Sequence, residues 1–373
     1  MHENPPPPGG PWLLADLPHR IRILVLALWA ADLGGLTVFI VHVVFDVGRP
    51  DAPGFQALYV VIILLGSALF VARGALVERE RATWLIFGAG GISWAAGYFY
   101  YFLALQDLAV PPYPSPADAL WMTFYVGNVI ALMLLLRARV TRFRTALWID
   151  IGVAALALAS IGAMLLIDPI LASTGASLSA VVTNLAYPLL DLLVASVVLA
   201  IFTLSGWRPG RDMVILGVAF VILVVADTIY VHRVATAGYE SGTLLDVSWP
   251  IVFLLIAAAA WTKPRRESSL VLEGLSMAAA PLLFAVIALG LTTYDSFTPI
   301  NKVAVGLATV TLILAFARTI ATFADVRTLS HTGNLLRRQS LILDSAGEGI
   351  YGLDLEGRRR VGPGSGWRSA AAS

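Results

Sequence analysis

Cysteine does not occur in the 373 residues, which excludes disulfides, thiolate metal sites and cysteine nucleophiles together. Charge is scarce too: 13% of residues are charged, against about 25% in an ordinary soluble domain, so no large water-facing domain fits. The net charge of +1 gives no global attraction to nucleic acid. Catalytic signatures are equally thin. No glycine-rich phosphate loop precedes a helix, no serine stands in a nucleophile elbow, no carboxylate pair lies in a polar domain, and no zinc motif is present. An enzyme, a cofactor and a metal are therefore not expected. Nor does the chain open on a removable leader, because its first apolar run is long and lacks a small-residue cleavage site.

What the chain has in abundance is apolar sequence: 58% hydrophobic residues and a mean hydropathy of +0.81. From Ile21 to Ala321 this sequence falls into about ten stretches, each roughly twenty residues long and able to cross a ~30 Å hydrocarbon core as a helix. The stretches predict helices near 22–45, 55–77, 83–105, 117–136, 145–167, 178–204, 212–233, 243–261, 275–293 and 300–322. The expected fold is an all-α polytopic membrane protein with the lipid bilayer as its first partner. Arginine marks every second loop (Arg79 and Arg81, Arg142 and Arg144, Arg208 and Arg211, Arg265 and Arg266), whereas the intervening loops carry Asp46, Asp107, Asp168, Glu240 and Asp295. By the positive-inside rule both termini are cytoplasmic, in the cell membrane.

The domain reading follows: a disordered arm over 1–20 with Pro5 to Pro8 in a row, a transmembrane region over 21–322, a linker helix over 323–341, a short further segment over 342–357, and a disordered tail over 358–373. Within the membrane region the outer ends of the even-numbered helices look alike. The fourth opens Asp118-Ala-Leu-Trp121 and the eighth Asp246-Val-Ser-Trp249, and Tyr98 to Tyr101 on the third corresponds in position to Asp227 to Tyr230 on the seventh. This points to tandem helical hairpins.

Two groups of polar residues carry chemistry. At the outer mouth, Ser115 precedes Asp118 by three residues and Thr243 precedes Asp246 by three. That spacing makes capping boxes, with Trp121 and Trp249 one turn further in at headgroup depth. The same residues also suit contact with a small ligand at the outer face. Deeper, Asp32, Asp191 and Asp227 fall inside the hydrocarbon span by helix counting. There a carboxylate costs at least ~2.5–3.5 kcal/mol, so each is expected to face the bundle interior with a partner. Tyr98, Tyr101, Asn184 and His232 are the expected partners. These residues are candidates for signal perception or proton relay, and a carboxyl that only fixes helix packing is the plainer alternative.

After the last helix comes Leu341-Ile-Leu-Asp344-Ser-Ala-Gly-Glu348-Gly-Ile-Tyr-Gly-Leu-Asp354-Leu-Glu-Gly357. This segment resembles the opening of a PAS sensory domain, and the membrane region resembles the multi-helix input regions of bacterial proteins that join PAS to GGDEF and EAL domains or to a histidine kinase. Pro114 to Asp118, Tyr187 to Asp191, and Ala226 to Tyr230 through Asp246 and Trp249 carry the second resemblance. It implies a sensory input module of cyclic-di-GMP or kinase signalling, compatible with a homodimer. The match stops at Gly357, where Arg358-Arg-Arg and a Gly/Ser-rich run replace the apolar second strand, as a reading-frame shift would produce. The chain is accordingly expected to end before any output domain. The alternative is a small-solute secondary transporter that uses Asp32, Asp191 or Asp227 for coupling.

Overall fold

A computed structural model describes residues 12–48, 52–139, 145–173, 177–204, 209–236, 239, 241–264, 279–321, 352–353 and 359–360. Among them are ten long helices: α1 (His19–Val44), α2 (Pro53–Leu76), α3 (Arg81–Tyr100), α4 (Pro116–Arg139), α5 (Thr145–Ser173), α6 (Leu178–Leu204), α7 (Arg211–Thr236), α8 (Leu244–Trp261), α9 (Ala279–Asp295) and α10 (Lys302–Ala321). Each sits on one of the predicted apolar stretches. Among the described residues seven of them, α1, α2, α4, α6, α7, α8 and α10, are long and apolar enough to cross a membrane. The chain is a helical, multi-pass membrane protein.

Its surface supports this. Leu24, Leu33, Val221, Val225, Leu282, Ile313 and Phe316 are exposed on helix faces, a distribution that water would penalise and lipid tails accept. Burial increases toward the middle of the bundle. Only 22% of the apolar window of α1 is buried, against 67% of that of α8, which makes α8 a central helix. The main core joins α1, α2, α3, α4, α6, α7 and α8 through residues such as Phe39, Phe70, Phe87, Phe124, Phe220 and Phe253. A second cluster packs α9 and α10 on α5 through Val153, Ala157, Phe284 and Ala315.

Cross-links between loops show which helix ends lie together. At one end Lys263 Nζ pairs with Asp16 at 2.9 Å, Trp12 forms a bridge with Thr262, and Arg73 Nε donates to the carbonyl of Ala260 at 2.9 Å. At the other end Gln56 meets Gln106, Tyr113 meets Asn184, and Asn301 donates to Asp168 at 2.9 Å. The first set joins the start of α1 and the ends of α2 and α8; the second joins the starts of α2, α6 and α10 and the ends of α3 and α5. Alternate ends of the helices thus share a face, as an up-and-down bundle requires.

The arm expected to be disordered over 1–20 is ordered where it is described. Leu13–Asp16 forms one 3₁₀ turn, and Leu13, Leu14 and Leu17 pack on the core. Apolar contact and the Asp16–Lys263 pair hold it, features that a scan for polar, proline-rich sequence overlooks. Residues 1–11 lie outside the described residues. A second unit of the chain runs from Ala317 to Ser373. There Gly352–Leu353 pairs antiparallel with Arg359–Arg360. The expectation that strand structure stops at Gly357 is corrected at those two residues, since backbone pairing needs no apolar alternation. The rest of the expected linker helix, PAS-like segment and tail lies outside the described residues.

Candidate functional site

The polar residues gather on α4, α6, α7 and α8, in two levels. The outer level sits at the first turns of α4 and α8. Ser115 donates through its amide (2.7 Å) and its hydroxyl (2.8 Å) to Asp118 Oδ2, and the amide of Thr243 donates to Asp246 Oδ2 at 2.8 Å. The carboxylate arm of a capping box is therefore present at both helix starts, where amide hydrogens lack intrahelical acceptors. Each carboxylate also takes a phenol from elsewhere. Tyr187 on α6 donates to Asp118 Oδ1 at 3.0 Å, and Tyr239, in the α7–α8 connection, donates to Asp246 Oδ1. Burial, and behind it the neighbouring Tyr98 and Asp246, pushes the Tyr239 phenol well above its ordinary range, so it stays a neutral donor. Burial and the nearby Asp118 do the same for Tyr113 between α3 and α4.

The inner level centres on Asp227 of α7, which is 5% exposed. Its Oδ2 accepts from the Tyr125 hydroxyl on α4, and its Oδ1 accepts from Trp249 Nε1 on α8 at 2.8 Å. Asp191 of α6, 3% exposed, stands beside it, the two carboxyls within hydrogen-bonding reach. Four helices thus meet at one polar spot inside the bundle. No family model, curated protein or solved structure matches this chain. What the site can do is therefore argued from its own groups.

Several expected placements change. Trp249 is not a headgroup-depth belt residue: it is 3% exposed and points its indole N–H at a buried carboxylate. Tyr98 and Tyr101 are not partners of Asp227. Tyr98 lies against Tyr59 (4.6 Å between ring centroids), Trp94 and Trp121, and Tyr101 lies against Trp121 at 6.2 Å. Asn184 accepts from Tyr113 at the outer end, and His232 is exposed on α7. Asp32 is buried at 1% exposure on α1, apart from the junction, with Oδ2 unpartnered among the described residues.

The partner that sequence reading missed is Tyr125. Its signal was available, since Asp118 and Tyr125 are seven residues, two helical turns, apart and share one face of α4. A phenol among apolar neighbours in mid-helix attracts no notice until the facing carboxylate is known.

The two hairpins can now be compared residue by residue. In α7–α8, Trp249 meets Asp227 and lies 5.8 Å from Tyr230; in α3–α4, Trp121 lies 5.2 Å from Tyr98 and 6.2 Å from Tyr101. Tyr98 holds the position that Asp227 holds in the other copy. As a result Trp121 Nε1 is buried without an acceptor among the described residues. The repeat is shared as packing, and of these two hairpins the α7–α8 copy has a carboxylate facing its tryptophan. Among the described residues no group of three or more metal-ligating side chains is found.

Proposed function

We propose that this chain is the membrane-embedded input module of a signal-transduction protein in the cell membrane, with ten spans, both termini cytoplasmic, and α10 leading into a PAS-like segment. The observation that carries the reading is the junction at Asp227, where hydrogen bonds from α4 and α8 and the carboxyl of α6 converge on one residue of α7. A change in hydrogen bonding at that spot alters how four helices pack, and packed interiors respond by moving between discrete arrangements. Rings pack directly against its Tyr125, Trp94 at 5.9 Å and Tyr187 at 5.9 Å. That packing suits relay of a signal better than passage of a solute. An intramembrane carboxyl pair also suits proton-coupled transport, which is the second reading.

The absence of cysteine allows a direct test. Spin labels at Arg137→Cys on α4 and Phe316→Cys on α10 should give a bimodal distance distribution whose populations shift when Asp227→Asn is added. Vesicles holding the unlabelled chain should show no proton uptake when a mixture of amino acids and sugars is supplied outside. An unchanged distance distribution, together with solute-driven proton uptake that Asp227→Asn abolishes, would replace the sensor reading with the transporter.

A further inference from the structure

We propose that Asp191 and Asp227, with Asn128 at similar depth on α4, form a binding site for one proton inside the helix bundle, whether the module senses or transports. Both oxygens of Asp227 already accept, Oδ2 from the Tyr125 hydroxyl and Oδ1 from the Trp249 indole at 2.8 Å. Two donors stabilise Asp227 as the ionised partner. A further hydrogen bond from Asp191 then closes only if Asp191 brings the hydrogen, because two carboxylates have none between them. The proton therefore resides on Asp191, facing a carboxylate held in place by α4 and α8.

Asn128 is the second, independent observation. It is fully buried on α4, and among the described residues neither its Nδ2 nor its Oδ1 has a hydrogen-bond partner. A buried carboxamide left so is costly and calls for a reason. It lies one turn inward of Tyr125 on α4, as Asp191 lies one turn inward of Tyr187 on α6, and Tyr125 and Tyr187 are in contact at 5.9 Å. Asn128 and Asp191 thus lie at similar depth on two packed helices, and Asp191 Oδ1 is itself buried and, among the described residues, without a hydrogen-bond partner. The carboxamide supplies what either state needs: its N–H can donate to an ionised Asp191, and its carbonyl can accept from a protonated one. Binding is simple in atoms: an Asp191 oxygen gains the hydrogen released by hydronium, and one O–H bond forms as another breaks.

Polar and titratable groups reach this pair from several helices. From α4 it is faced by Tyr125, with Asp118 further out; from α7 by Asp227, with Tyr230 further out; from α8 by Trp249, with Asp246 further out; and α6 itself adds Tyr187. α5, which packs on α6 and α7, has its only ionisable side chains, Asp150 and Asp168, near its two ends.

The experiment is infrared difference spectroscopy of the full chain in lipid, titrated in pH, with the carboxylic-acid carbonyl band as readout. The wild type should show a protonated buried carboxyl that Asp191→Asn removes and Asp227→Asn shifts. Because either variant could fail to fold, Tyr125→Phe and Trp249→Phe provide a second arm. They keep both carboxyls, and each should move the same band by taking one donor from Asp227. The band should be identical in sodium, potassium and choline chloride. A band unchanged in a folded Asp191→Asn protein, or unmoved in both donor variants, overturns the proposal. Loss of the band on adding sodium also overturns it, in favour of a sodium site.

Discussion

Tyr239 ties the α7–α8 connection to the first turn of α8 by donating to Asp246, a carboxylate that also receives the amide of Thr243 at 2.8 Å. Its phenol is held above its ordinary range chiefly by burial, so the folded chain keeps a proton that an unfolded chain releases near pH 10. Above that pH the folded state binds more protons than the unfolded state, and stability falls as pH rises; below it the contribution is complete. Alkaline unfolding followed by tryptophan fluorescence should show this decline, and Tyr239→Phe should flatten it while lowering stability at neutral pH by about 1–3 kcal/mol. Equal alkaline slopes in the two proteins would show that Tyr239 is not the group responsible. Tyr113 has the same direction of shift and remains in the variant, so some slope should persist.

At the scale of elements, α3 differs from its neighbours because it approaches them by having little side chain at the contact. A Cβ added at Gly91 would lie 2.2 Å from Ser67 Oγ and 2.9 Å from Phe253 Cε1, and one added at Gly97 would lie 2.6 Å from Trp121 Nε1. Small residues let helices meet closely in lipid, where dispersion and polar contacts, rather than water exclusion, drive association. Gly91→Ala should therefore lower the thermal stability of the detergent-solubilised protein, with a cost of about 1–3 kcal/mol from overpacking. Adding Ser67→Ala should recover part of the loss, because the nearest clashing atom disappears. A stability unchanged by Gly91→Ala would mean that α2, α3 and α8 do not meet at this point. The same close approach seats Trp121 among the α3 tyrosines, so the first hairpin is an aromatic copy of the hairpin that holds Asp227.

For the whole molecule, the cross-linked loops place alternate helix ends together, and the arginines predict which end faces the cytoplasm. Single cysteines in this cysteine-free chain can test the orientation. Pro112→Cys and Ser296→Cys should react with a membrane-impermeant maleimide in intact cells, whereas Arg79→Cys and Lys263→Cys should react only after permeabilisation. Labelling of two consecutive loops from the same side would remove a span. α9, at 17 residues the shortest of the ten described helices, is where such a loss would show.

Apolar periodicity and loop charge determined the class of the protein, the position of its ten helices and the candidate aspartates, because a helix in lipid satisfies its backbone internally and records its burial as local composition. The capping carboxylates Asp118 and Asp246 were legible for the same reason, their partners being three residues away. The junction was not. Tyr125 and Asp227 are 102 residues apart and Trp249 and Asp227 are 22 apart, and nothing local distinguishes a phenol or indole that packs from one that donates. Which tryptophan belongs to the membrane interface and which to the interior, and which of three buried aspartates acquires a second carboxyl as neighbour, depended on how α4, α6, α7 and α8 rotate against one another. Side-chain packing across helices sets that rotation, and it exists only in the tertiary structure.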